Sequence, residues 1–349
     1  MKKKSIVAAI SALSLIVSMN TGIGSVFAGE QSTVPGTAEQ PFVVTDGLFD
    51  QTKTESDLGL SKIEGAETVT VFTATDDTDH YCNGVVMTEF KGKLYTQWQS
   101  SAKDEDAEDT WVAYSVSDDN GATWSEPKVL VPTIDNGYCS SGGWFVSGDT
   151  LVSYINVWYS DTTPRGGFAY YVESTDGEHW SEMKPVLMKD GTPMEGIIEQ
   201  DPHVLASGRI VNAAHFQPGL FAYPIYTDDP SGTKGWVKAQ YTCMEQGEGA
   251  TTSREMEPSL FVNEDGTIVM TFRDQKSSFV RLAAISTDQG ETWSETVSTN
   301  MPDCRAKQSA GNLPDGTAYL VGCSVNNKGR WPLTITLSSD GKTFDTAYV

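Results

Sequence analysis

The chain is predicted to fold as an all-β propeller with five countable blades, and three observations carry that prediction. The first is a box, Ser-x-Asp-x-Gly-x-Thr-Trp, that returns at regular spacing. It is complete at Ser117, Asp119, Gly121, Thr123 and Trp124, and again at Ser286, Asp288, Gly290, Thr292 and Trp293. A shorter copy stands at Ser174, Asp176, Gly177, His179 and Trp180, and a copy with Phe stands at Ser338, Asp340, Gly341, Thr343 and Phe344. The copies start 57, 112 and 52 residues apart, so one unit of about 56 residues repeats and one copy has decayed between Tyr226 and Trp236. The second is a hairpin glycine in step with the boxes: Gly92, Gly148, Gly208, Gly266 and Gly316. The third is apolar alternation around those glycines, as in Thr267–Phe272, with no convincing helical period. A long all-β repeat is the mark of a propeller.

Each element follows from local chemistry. Asp and Ser bond their own backbone, glycine supplies the positive φ that other side chains avoid, and the closing Trp or Phe anchors the turn between sheets. The boxes therefore pin outer turns and say little about activity. Repeats are expected to begin with the alternating stretch Glu67–Thr73 and to fill 66–349, after a leader over 29–65 that is rich in Thr, Gly, Pro and acids. Val349 falls in the outer strand of the fifth unit, so a sixth blade is expected to follow it.

Met1–Ala28 reads as a signal peptide: Lys2, Lys3 and Lys4, an apolar run from Ile6 to Val17, then Val26-Phe27-Ala28 as the cleavage site. The run is too short to span a bilayer, and the mature chain is expected outside the cell. The formal charge of −23 becomes more negative once the three lysines leave. With no basic block, nucleic acid is excluded as a partner. Five cysteines are too few for a disulfide scaffold, and no Cys or His pair has zinc-site spacing. Neither a metal nor a cofactor is expected, and a monomer is.

Register locates candidate chemistry. Seven residues after the hairpin glycines stand Gln99, His215, Arg273 and Cys323, with Asn156 one place off. Nine or ten residues before them stand Cys82, Cys139, Glu199, Glu257 and Lys307. All of these should emerge on one face, and an acid, a cation and a His drawn from separate repeats suit a carbohydrate or carboxylate site. His203 and His215, if both faced the channel, could act as base and acid in uronate β-elimination. Trp144, Trp158 and Phe216 could stack on sugars.

The boxes and the run Glu255–Asp274 resemble the sialidase superfamily of secreted glycosidases, whose members are six-bladed propellers. The resemblance covers roughly 70–349. It implies that Glu257 is the glutamate acting as base beside the nucleophile, that Arg273 and Arg330 belong to the arginine triad gripping the substrate carboxylate, and that Asp106 is the general acid. Guanidinium suits that grip because it is always charged and binds carboxylate bidentately. Arg254, Arg281, Arg305, Gln99, His215 and His203 are the further candidate lining or substrate-binding residues. The sequence departs from the family at His80-Tyr-Cys-Asn-Gly84, where Cys82 takes the place of the first triad arginine, and the nucleophilic tyrosine is expected beyond Val349. The resulting expectation is exo-acting hydrolysis of a terminal acidic sugar on a glycan. The alternatives are a polysaccharide lyase using His203 and His215, and a non-catalytic glycan-binding propeller.

Overall fold

A computed structural model describes residues 34–75, 77–244 and 246–349, so the signal-peptide reading lies outside the described residues. Five antiparallel sheets follow one another along the chain. Blade one holds Tyr81–Phe90, Lys93–Ser101, Trp111–Ser117 and Lys128–Val131; blade two holds Gly137–Ser147, Thr150–Tyr159, Phe168–Ser174 and Lys184–Pro185. In blade three the first strand is split into Gly196–Ile197 and His203–Val204, both paired with Ile210–Phe216, and Phe221–Thr227 and Val237–Lys238 complete the sheet. Blade four is Glu255–Val262, Ile268–Asp274, Val280–Ser286 and Val297–Pro302, and blade five is Ser309–Asn312, Ala318–Gly322, Thr334–Ser338 and Thr346–Tyr348. This is the sialidase-type all-β propeller that the repeats predict.

The boxes form one hydrogen-bonded turn. Ser117 Oγ donates to Asp119 Oδ1 at 2.8 Å and accepts from the Gly121 amide, while Asp119 Oδ1 also accepts from the Thr123 amide at 2.8 Å. Asp288 repeats that geometry with Ser286 and Thr292. Gly121 and Gly290 sit at φ 88° and 86°, where a side chain would be strained. The indole N–H of Trp124 and of Trp293 donates to the carbonyl of its box glycine at 3.2 and 3.0 Å. The decayed copy keeps this anchor: Trp236 is fully buried and donates to the Gly232 carbonyl at 2.8 Å, while Asp229 holds Ser231.

Two boundaries differ from expectation. Glu67–Thr73 is largely exposed, with Val71 and Phe72 half-buried, and forms no strand; the inner strand of blade one is Tyr81–Phe90. Phe72 nonetheless stacks on Trp98, with ring centroids 6.2 Å apart. The stretch read as a leader packs on the propeller. Val43–Val44 pairs in parallel with Thr343–Phe344 at the last box, and the Asn300 amide bonds both the N–H and the C=O of Val44, at 2.8 and 2.7 Å. Phe42, Val44, Phe49 and Leu58 thereby join a core with Phe261 and Phe344. Phe42 meets the Phe344 ring edge-on at 5.3 Å.

Phe344 is thus shared between blade five and the N-terminal segment, and it is fully buried. Phe344→Ala is expected to cost about 3–5 kcal/mol, the usual price of truncating a buried aromatic. A urea titration would show a lower midpoint at unchanged slope if the loss is purely one of native stability.

Candidate functional site

Strand direction decides where the repeats deliver side chains. The inner strand of each blade runs towards its hairpin glycine, so strand starts and the ends of second strands share one face, and the box turns share the other. On the first face lies a cavity of about 590 Å³, lined by residues of all five blades. Gln99, Glu199, Glu257, Arg273 and Lys307 line it from register positions, and Arg330 lines it from the loop before Thr334–Ser338.

Glu257 lies at the base. A bulge between Met256 and Ser259 breaks the ladder to the next strand, and Glu257 takes φ 50°, a left-handed conformation that costs a non-glycine residue free energy. Both its carboxylate oxygens accept from Arg273 Nη1, at 3.0 and 2.9 Å, and its own N–H donates to His215 Nε2 at 3.2 Å. Burial, with the neighbouring Glu199 charge next, pushes the Glu257 carboxyl upward; Arg273, Lys307 and His215 pull the other way. Arg273 also donates to Gln275 Oε1 at 2.8 Å, and Arg305 reaches the same oxygen at 3.4 Å.

His215 is buried below the cavity rather than lining it, and burial lowers its pKa to about 4. It is therefore neutral near pH 7. Because Nε2 accepts from Glu257, the proton belongs on Nδ1. Nδ1 lies 3.2 Å from Glu199 Oε2, but the alignment is too poor for a hydrogen bond, and Glu199 Oε2 has no hydrogen-bond partner among the described residues. The contact of a neutral imidazole is not an ion pair.

Asp106, the expected acid, is not itself a lining residue but contacts two that are, Tyr138 and Arg165. It accepts from the Tyr138 hydroxyl at 2.8 Å and pairs with Arg165, which also bonds the Tyr138 hydroxyl. The Tyr138 ring stacks on Trp158 at 6.0 Å and 11°, and Arg165 lies over the Trp158 ring at 4.8 Å. Burial pushes the Tyr138 phenol well above its ordinary value. Next to Asp106 in the chain, Glu105 accepts from Asn83 Nδ2 at 2.9 Å and from Tyr81 at 3.3 Å, and Gln99 donates to the Glu105 carbonyl.

Several expectations require correction. Cys82 is not what faces the cavity where the first triad arginine is expected: strand alternation turns Tyr81 and Asn83 inward and Cys82 away. Arg281 does not line the cavity but is fully buried, its Nε 3.8 Å from Asp303. Arg305 stands behind Gln275, and Arg254 is committed to Asp274 by two hydrogen bonds at 3.0 and 2.6 Å. His203 pairs with Val211, four residues before His215 on the same strand, and lines a cavity of about 920 Å³ on the opposite face. The two histidines thus serve opposite ends of the channel, which removes the physical basis of the lyase reading. Trp144 is buried core, with Phe216 also buried; of the three aromatics only Trp158 lines the cavity. The opposite cavity is larger, yet Asp265, Asp315 and Asp340 there are spent on their own turns. Among the described residues, no group of three His, Cys, Asp or Glu could hold a metal.

Sequence reasoning missed Tyr138, Arg165, Glu105, Tyr81 and Asn83 as site residues. Alternation along Tyr81–Phe90 could have exposed the last two. Arg165 comes from an irregular loop, where no periodic signal exists.

The geometry defines a sialidase-type propeller with a charged, many-bladed cavity on the face opposite its boxes. Residues 92–349 match the BNR repeat-like domain, and the chain belongs to that family. No curated protein matches the chain in sequence. Among solved structures, it is similar to a protein of unknown function from Dyadobacter fermentans at 14% identity and a TM-score of 0.62, covering 80% of this chain and 85% of that one. A Hadza microbial sialidase, Hz136, shares 18% identity and a TM-score of 0.62 over 78% of this chain and 59% of its own. The intramolecular trans-sialidase of Ruminococcus gnavus, in complex with oseltamivir carboxylate, shares 15% identity and a TM-score of 0.59 over 84% and 88%. At these identities the likeness is one of fold.

Below the cavity, Asp201 accepts the Trp144 N–H at 2.6 Å, and burial raises its pKa to about 6. Its folded pKa exceeds the unfolded one, so its stability contribution is full below about pH 3.8 and lost as pH rises through 6. Asp201→Asn keeps an acceptor and removes the charge. It is expected to raise stability at pH 8 by on the order of 1–3 kcal/mol, with the gain vanishing below pH 4. Thermal melts of both proteins across pH 4–8 check this.

Proposed function

We propose that the protein is an exported, exo-acting glycoside hydrolase that removes a terminal acidic sugar from glycans. The observation that carries this reading is the Glu257–Arg273 pair at the cavity base. The two groups bond each other directly. An entering sugar carboxylate competes for Arg273, aided by Arg330 and Lys307, and so frees Glu257 to accept a proton. Binding and base activation are then one event. Arg273 is suited to this because a carboxylate can replace another carboxylate on the same fork.

Asp106 is the acid in this scheme. While paired with Arg165 it is an acceptor, so proton donation requires substrate to displace Arg165. Tyr138 and Trp158 offer an aromatic wall beside it, against which a sugar face can stack. His215 positions Glu257 through its backbone N–H and does not itself reach the cavity. The similar proteins with sialidase in their names favour an α-linked acidic sugar as the substrate class. Glu105 on Tyr81 and Asn83 places a carboxylate where a further clamp cation is expected, which favours a sugar whose acid group is gripped from the Arg273–Lys307–Arg330 side alone. That same departure is what favours the second reading, a glycan-binding propeller without turnover.

Two variants test the roles. Glu257→Gln preserves shape and is expected to lower the rate of sugar release about 10²–10⁴-fold, the span of a lost general base, with glycan binding retained. Undiminished release would remove Glu257 from the mechanism. Arg330→Ala is expected to raise KM by roughly tenfold or more with a smaller change in kcat, since a charged hydrogen bond is worth about 1.5–3 kcal/mol. Steady-state kinetics on a glycan ending in an acidic sugar separates the two effects.

A further inference from the structure

Behind the Lys307 wall of the cavity lies a second group of reactive side chains that the proposed hydrolysis does not use. Cys304 and Cys323 are both free thiols, 2% and 7% exposed, in one buried core. The Cys304 N–H donates to the Cys323 carbonyl at 3.2 Å, which holds the two residues against each other in that core. That backbone bond keeps the two segments in contact, as a disulfide spanning roughly 4.4–6.8 Å between Cα atoms requires.

The surroundings favour thiolate chemistry. Arg281 is fully buried against this pair, and its Nε and Nη1 have no hydrogen-bond partner among the described residues. Its nearest carboxylate oxygen, on Asp303, is 3.8 Å away, and its remaining bond is a 3.4 Å contact to the Val321 carbonyl. The guanidinium is pressed so close that a Cβ on Gly322 would lie 2.3 Å from Nη2. A buried guanidinium this poorly compensated draws negative charge towards itself. The proximity of Cys304 lowers the Cys323 pKa, Arg281 and Arg330 act in the same direction, and burial and Asp303 oppose them; the proximity of Cys323 raises the pKa of Cys304. The pair is thus divided into an attacking sulfur and a proton-holding partner.

We propose that Cys304 and Cys323 form a redox-active pair that closes to an internal disulfide, fastening the segment that carries Lys307 to the strand Ala318–Gly322. With a low-molecular-weight disulfide as oxidant, the Cys323 thiolate attacks one sulfur and expels one thiolate. Cys304 loses its proton and attacks Cys323 in the mixed disulfide, expelling the second thiolate. Two protein thiols are oxidised, one small disulfide is reduced to two thiols, and the protons balance. The bond would join the approaches to two cavity cations, since Lys307 follows Cys304 and Arg330 follows Cys323.

The test needs no glycan. The full-length protein is equilibrated with glutathione at increasing oxidised-to-reduced ratios, both folded and during refolding, then alkylated in denaturant and digested for mass spectrometry. The expected result is a joined peptide pair containing Cys304 and Cys323, lighter by two hydrogens than the two thiol peptides, rising with the ratio, while Cys82, Cys139 and Cys243 stay alkylated. In Cys323→Ser that linked product should disappear. Full alkylation of Cys304 and Cys323 at the highest ratio by both routes, a persistent glutathione adduct on either, or a different linked pair would overturn the assignment.

Discussion

A partly buried carboxylate held by a partly buried guanidinium sets the conditions for everything around the cavity. Glu257 and Arg273 both keep about 15% of their side-chain surface exposed, so neither charge is dissolved in solvent and each depends on the other. The backbone bends to allow this. Glu257 adopts a left-handed φ on a bulge, and the N–H so exposed is taken up by His215. Such strain persists only where the surrounding structure over-determines it. Here the blade-three His, the blade-four Arg and the charges of Glu199 and Lys307 do so from three blades.

The propeller supplies that convergence through strand direction alone. Each inner strand starts on the cavity face, and each second strand returns to it. A blade therefore offers two positions, and the box turns secure the opposite end. The roles separate cleanly: the box carboxylates, such as Asp119 and Asp288, are consumed by Ser and Thr hydroxyls and backbone amides, whereas Glu199, Glu257 and Glu105 face cavity cations and amides. The N-terminal segment contributes through Phe42 and Phe344 to the outer packing of blade five rather than to the site.

What was legible in the sequence follows the same division. Boxes and hairpin glycines are short-range signals, so blade number and register could be read, and with them Glu257, Arg273, Glu199, Lys307 and Gln99 as residues of one face. Arg281 was misread because charge in a sequence does not reveal burial; its strand neighbours are core, and it is enclosed with them. His203 was misread because Gln200-Asp-Pro-His203 looked like the entry to blade three, whereas the strand is split and His203 lies in its second part, near the hairpin glycine end. Glu67–Thr73 alternates like a strand, yet alternation creates no partner for it. Tyr138, Arg165 and Asp106 meet only through tertiary contacts between two blades and two loops, which no local pattern encodes.

The account rests on the cavity beneath Arg273 releasing an acidic sugar by hydrolysis. The most direct test is mass spectrometry of a mixed glycan pool digested by the full-length protein. Hydrolysis predicts a free acidic monosaccharide heavier by one water than its residue mass, with the glycan shortened by that residue. An unsaturated product, or an unchanged pool from protein whose fold is confirmed by its melting transition, would contradict it.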